Sequence, residues 1–165
     1  MTPRIASIGH GSRSREEMRD LLQGRGITLV VDVRRFPVSR RHPHFSAEAL
    51  QAWLGEAGIG YVQMGDSLGG FRPGGYEAWT HTPRFQEGLR RLEHLAREEA
   101  RRGGLAAFMC SERLPWRCHR RFIGRALAER GWQVAHVIDA RRDWRPRAGG
   151  QSTDPAARPP APSSG

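Results

Sequence analysis

The run TLVVDVR, residues Thr28 to Arg34, sets the fold class. Leu29, Val30 and Val31 follow one another without a polar residue between them, where a strand with one wet face would alternate. A β-branched run of this kind suits a strand covered on both faces, as in a parallel sheet flanked by helices. Outward from it, the chain repeats the same alternation. On the N-terminal side RIASIG (Arg4 to Gly9) reads as a strand, and Ser14 with Glu17 forms a capping box. That box opens a helix through Met18, Leu21 and Leu22 that closes at Gly24 or Gly26.

On the C-terminal side Ser46 caps a helix in which Leu50, Trp53, Leu54 and Ala57 follow the i, i+3, i+4, i+7 spacing, and Gly58 ends it. YVQMG (Tyr61 to Gly65) reads as a third strand. Thr82 and Pro83 are an N-cap and first-turn proline for a long helix carrying Phe85, Leu89, Leu92 and Leu95. GLAAFMC (Gly104 to Cys110) is the fourth strand. Pro115 lies at the first turn of a further helix that closes at Gly131, and QVAHVID (Gln133 to Asp139) is the fifth strand.

Strands alternating with helices predict a three-layer α/β domain of Rossmann-like type: a mostly parallel five-stranded sheet with helices on both faces. This domain is expected over residues 1–145. Residues 146–165, PRAGGQSTDPAARPPAPSSG, lack apolar periodicity and are expected to be disordered. The glycine-rich connection at residues 66–81 is too long for a simple turn, and reads as a lid or a disordered excursion.

Composition narrows the chemistry. The formal net charge is +10, and all 27 basic residues are arginine. Arginine in place of lysine throughout is what codon bias in a GC-rich genome would produce, so it is not itself evidence of function. The absence of lysine still excludes P-loop and Schiff-base chemistry, and no GxGxxG occurs. The positive surplus favours anionic partners. No run approaches the roughly 18 apolar residues of a membrane span, and MTPRIASIGHG lacks the apolar centre of a signal peptide, so a cytoplasmic location is expected. In a reducing compartment two cysteines are core thiols, catalytic groups or metal ligands.

Open parallel sheets bind ligands beyond the carboxyl ends of their strands. The strand ends here deliver His10, Gly11, Ser12 and Arg13, then Asp32, Arg34 and Arg35, then Gly65 and Asp66, then Cys110, Ser111 and Glu112, then Asp139. The stretch MCSERLPWRCHRR (Met109 to Arg121) adds Arg117, Cys118, His119, Arg120 and Arg121. Helical spacing aligns Cys118 with Phe122 and Ala126, and His119 with Ile123 and Leu127, which places both in the first helical turn facing the sheet. A helix start surrounded by arginines favours an anion and lowers a cysteine pKa. The alternative is that both thiols are small core residues.

The stretches IGHGSRSREEM, VVDVRRFPVSRRHPHF, GIGYVQMGDSLGG and AAFMCSERLPWRCHRRFIGRAL resemble the Domain of Unknown Function 488 family, whose motifs run from an IGHS start through DVRxxP and LGG to CxE…CHR. The resemblance covers residues 4 to about 139. It implies an α/β domain, and it implies that His10, Asp32, Arg34, Pro37, Gly69, Gly70, Cys110, Glu112, Cys118, His119 and Arg120 occupy motif positions. Gly11 stands where the family more often has serine, and Ser12 follows it.

Three functions fit these residues. The first is an enzyme, a cysteine-dependent hydrolase or transferase, acting on a phosphate-bearing or other anionic substrate such as a nucleotide or nucleic acid. In that reading Cys110 is the nucleophile, and Cys118, His10, His119, Asp32 and Glu112 complete the catalytic set. Ser12, Arg13, Arg34, Arg35, Gly69, Gly70, Arg117 and Arg120 hold the anion. A tyrosine-phosphatase loop is excluded, since CxxxxxR from Cys110 falls on Trp116. The second is a nucleic-acid binding module using Arg34, Arg35, Arg40 and Arg41 with Phe36, Phe45 and Trp79 as stacking surfaces. The third is a metal site from Cys110, Cys118, His119 and His10, whose spacing fits zinc poorly, so no metal ligand is assigned.

Overall fold

The computed structural model describes residues 2–146; the expected disorder of 146–165 lies almost wholly outside them. Six strands form one sheet: β1 (Arg4–Gly9), β2 (Leu29–Asp32), β3 (Gly60–Gln63), β4 (Ala106–Cys110), β5 (Gln133–Val137) and β6 (Asp143–Trp144). Their order is β3-β2-β4-β1-β5-β6. The first five pair in parallel, and β6 folds back antiparallel on β5 with His136 opposite Trp144. The strand count is therefore six, not five. The added strand is two residues after a turn held by the Asp139 carboxylate, too short to leave a pattern in sequence.

Helices α1 (Arg15–Gly24) and α2 (Ala47–Glu56) cover one face of the sheet, and α5 (Pro83–Arg101) and α6 (Arg120–Glu129) the other. Between them lie two single turns, α3 (Gly65–Leu68) and α4 (Tyr76–Trp79). The alternation of the strands sorts two cores. Ala6, Ile8, Val30, Ala107 and Met109 pack with Met18, Leu22, Leu50 and Leu54. Ile5, Val31, Ala106, Phe108 and Cys110 pack with Phe85, Leu89, Leu92, Ile123 and Leu127. Both faces are covered, which is why these strands read as continuous apolar runs.

Caps stand close to their expected places. Ser14 and Glu17 form the capping box reciprocally, and Thr82 Oγ1 accepts from the Phe85 N–H. Ser46 precedes α2 as expected, but its hydroxyl bonds the backbone of Ser39 rather than the helix. The connection at residues 66–81 is ordered, which removes the disordered excursion from the two readings expected of it. Trp79 Nε1 donates to Ser67 O, Tyr76 Oη to Leu68 O, and the Arg72 guanidinium to Gly65 O, Asp66 O and Gly69 O. Aromatic and guanidinium donors supply the order that glycine content conceals. No helix among the described residues is long and apolar enough to cross a membrane.

Strand order fixes where a site belongs. From β1 the chain moves toward β2 and β3; from β4, beside β1, it moves back toward β5. The carboxyl ends of β1 and β4 thus form a topological switch point, where open α/β sheets leave a crevice.

Candidate functional site

At that switch point Gly9 pairs with Cys110, so the segment His10-Gly11 leaves the sheet beside Cys110-Ser111-Glu112. Gly9 permits this approach: a Cβ there would lie 1.8 Å from the Glu112 carbonyl oxygen. The chain then makes a 3₁₀ turn, Pro115–Arg117, and returns through Cys118 to α6. This corrects the expected placement of Cys118. Its backbone is extended (φ −124°, ψ 152°), His119 is the N-cap and α6 begins at Arg120, because Pro115 starts a 3₁₀ turn rather than the helix itself.

The return brings the two thiols together. Cys110 Sγ and Cys118 Sγ are 2.7 Å apart, and both cysteines are free and buried. Beneath them is Arg120, with no exposed surface. Its Nε donates to Cys110 Sγ at 2.9 Å, Nη1 to Ser7 Oγ at 2.5 Å and Nη2 to Glu112 O at 2.6 Å, and its backbone N–H points at Cys118 Sγ at 3.4 Å. Among the described residues no carboxylate pairs with it.

A buried cation demands an anion, and the sulfurs are the groups able to become one. The hydrogen bond from the Cys110 thiol is the main influence holding Cys118 down to about 4, helped by His119 and Arg120 against the cost of burial. Burial, and the thiolate already beside it, push Cys110 up. The sulfurs in turn raise Arg120 against burial. The geometry therefore favours a pair that shares one proton and carries one negative charge.

His119 Nε2 lies 3.1 Å from Val33 O and Nδ1 lies 3.5 Å from Cys118 Sγ. Its ring packs against Gly70 on one side and Tyr76 on another. A second buried group stands beside the thiols. Asp32 accepts from Arg34 through both carboxylate oxygens, at 2.9 and 2.7 Å, and from Tyr61 Oη at 2.5 Å. Arg34, raised by that carboxylate in spite of burial, points Nη1 at His10 Nε2 at 3.4 Å. His10 donates from Nδ1 to Gly11 O and stacks on Phe45, and burial lowers it to about 4, so it is neutral at pH 7.

These groups floor a cleft of about 800 Å³ lined by His10, Arg34, Arg35, Arg117, Cys110, Cys118, His119, Glu112 and Gly70, with Phe36, Val38, Arg40, Arg41 and Phe71 at its rim. Other expected site residues fall outside it. Ser12 is exposed beyond the lining, and Arg13 is occupied in bonds to Gly9 O and Ile138 O. Asp32 and Arg120 lie beneath the cleft. Gly69 packs against Gly65 O and the Arg35 backbone, where a Cβ would meet atoms at 2.4 to 2.7 Å. Phe45 is buried, and Trp79 is tied to Ser67 O with Arg72 at 3.9 Å and Arg84 at 5.9 Å over its ring, so neither offers a free stacking surface.

Ser7, His136, Tyr61 and Phe71 were not anticipated. A serine and a histidine inside otherwise apolar strands were the available signals for the first two. Among the described residues no three His, Cys, Asp or Glu side chains converge as a metal site. A larger cavity, about 1300 Å³, borders α6 and the starts of β1 and β5, and contains neither thiol.

The fold and this edge define an α/β domain with a paired-thiol cleft at the switch point of a parallel sheet. A family model described as "Domain of unknown function DUF488" matches residues 14–127, and the chain belongs to that family. The match takes in the DVR, LGG and CxE…CHR motifs, while Ile8 to Ser12 precede it. Comparisons with curated proteins and with solved structures returned no match.

Proposed function

We propose that the chain is a cysteine-dependent enzyme, a hydrolase or transferase, acting on a phosphate-bearing or similar anionic substrate in the cleft. The observation that carries this reading is Arg120, a fully buried guanidinium whose only candidate counter-ion among the described residues is the Cys110–Cys118 pair. Cys118, the less buried of the two, is the nucleophile, in place of Cys110. Cys110 donates to it and keeps it ionised.

In the forward step the Cys118 thiolate supplies an electron pair to the electrophilic atom of the substrate. The bond to the leaving group breaks, and that group departs with its electrons. The sulfur-bound adduct then passes to water or to a second acceptor, which loses a proton as the thiolate is regenerated. His119 is the proton carrier: both its nitrogens face acceptors, so a proton taken up there has a partner at either position. Arg34, Arg35, Arg40, Arg41 and Arg117 line the cleft, and of these only Arg34 has a carboxylate partner among the described residues. The others remain available to an anion.

The test is iodoacetamide labelling of the native protein across about pH 5 to 9, quantified separately for each cysteine. Cys118 is expected to label at pH 6 nearly as fast as at pH 8, and pyrophosphate to slow it; Arg117→Ala should weaken that protection. Labelling of both thiols only after denaturation makes the pair a packing device and removes the reading.

A further inference from the structure

Among the described residues three large apolar side chains are strongly exposed, Phe36 at 64%, Val38 at 73% and Phe71 at 85%, and all three line the rim of the thiol cleft. Scattered exposed apolar residues need no explanation, but three on one rim mark a binding surface. Phe71 is also the one non-glycine residue with positive φ, +60°, among the described residues. For a bulky side chain this left-handed conformation is unfavourable and persists only where the surroundings enforce it.

They do so from both sides. Arg35 Nη1 holds Phe71 O at 2.5 Å, and the adjacent Arg72 ties three carbonyls of residues 65–69. Gly70, one residue before, rests on the His119 ring. The strain turns an aromatic ring outward at the mouth of the cleft, although solvent gives it nothing to pack on. Phe36 faces it at 6.3 Å between centroids, with the rings inclined by 37°. A flat ring inserted between two others needs roughly 7 Å, two van der Waals layers. A small opening of this pair admits one.

The cations around the pair specify what the flat ring carries. Arg35 stands over Phe36 at 5.4 Å, and Arg40, Arg41 and Arg117 line the same cleft without carboxylate partners among the described residues. An apolar partner would gain nothing from them. Several cations around an aromatic pair exceed what a single phosphate group needs, and they match a strand whose phosphates follow one another. We infer that Phe36 and Phe71 form a clamp for one nucleobase of a single-stranded nucleic acid, seated so that its backbone crosses the rim arginines toward Cys118. The inference rests on the proposed anionic-substrate reading of the cleft and names its substrate class.

Phe71→Gly separates stacking from folding, because glycine accepts φ of +60° without strain. The probe is a short fluorescein-labelled oligothymidylate followed by fluorescence anisotropy at fixed salt, with thermal unfolding of the same samples. Phe71→Gly is expected to weaken binding at least about fivefold, as loss of one base stack does, with an unchanged or raised Tm. Phe36→Ala should weaken it similarly, Phe71→Trp should restore it, and duplex or thymidine monophosphate should compete poorly. Equal affinity in Phe71→Gly and wild type overturns the clamp, and effective competition by the mononucleotide overturns the strand. Pyrophosphate protection of Cys118 in those proteins distinguishes the two readings. If it persists while the phenylalanine effects are absent, only the clamp falls; if it is absent in wild type, the anionic-substrate reading falls.

Discussion

Arg120 ties together three stretches of the chain: residues 110–112, Ser7 and, through Ser7, His136. Its guanidinium joins Cys110 Sγ, Ser7 Oγ and Glu112 O, and Ser7 in turn hydrogen-bonds His136 Nδ1 at 2.8 Å. Replacing it by methionine preserves bulk and removes the charge. The thiol pair then loses its counter-ion, so the midpoint of the Cys118 labelling profile should move up by at least about one pH unit, the low end of what an adjacent opposite charge is worth. Stability should fall by about 3 kcal/mol in chemical denaturation, the order seen when a buried charge loses its partner. Unchanged labelling in Arg120→Met would detach the guanidinium from the thiol chemistry. Arg120, expected to hold an anion, has no exposed surface, and the proposed function gives it instead the task of stabilising the thiolate. Nothing in RCHRR distinguishes the buried Arg120 from the exposed Arg117 and Arg121 beside it.

At the strand ends the geometry depends on close backbone approach. Gly9→Ala places a methyl group against the Glu112 carbonyl, so the turn carrying Cys110 and Glu112 must move. Such overpacking costs about 1–3 kcal/mol, and here it should also slow Cys118 alkylation, since the sulfurs would part. Loss of stability with unaltered thiol reactivity would show that the turn yields elsewhere. A control lies in α1, where Ser14→Ala should cost about 1 kcal/mol through the lost cap and leave the thiols unaffected. The parallel strands and long helices were legible because burial imposes apolar runs on the first and 3.6-residue spacing on the second. The bend at Cys118 was not. A proline at position 115 suits the start of a 3₁₀ turn as well as that of an α-helix, and contacts distant in sequence, such as that of Cys118 with Cys110, accompany the shorter one. Phe71 was equally hidden, because the hydrogen bond that holds its backbone comes from Arg35, which is 36 residues distant.

For the molecule as a whole, the buried histidines govern the response to acid. His10 is lowered by burial to about 4, and His136 to about 3 by burial and then by Arg120. In the unfolded chain both take a proton near 6.5. Below that pH the unfolded state binds more protons than the folded one, so unfolding free energy falls as acid is added, by about 1.4 kcal/mol per pH unit for each histidine, until the folded pKa is reached. Cys118 acts in the same direction. Its depressed thiol contributes stability that is fully present above the ordinary value near 9 and is lost as pH falls through about 4. Between about pH 5 and 6.5 the carboxylates are ionised in both states, so the slope there belongs chiefly to these three groups. Thermal unfolding should show Tm rising steadily across that interval. His136→Asn should remove one histidine's share of the slope, whatever it does to Tm at pH 7. A flat profile in wild type would mean that His10 and His136 reach water in the folded state, and the buried system around Arg120 would then have to be open as well.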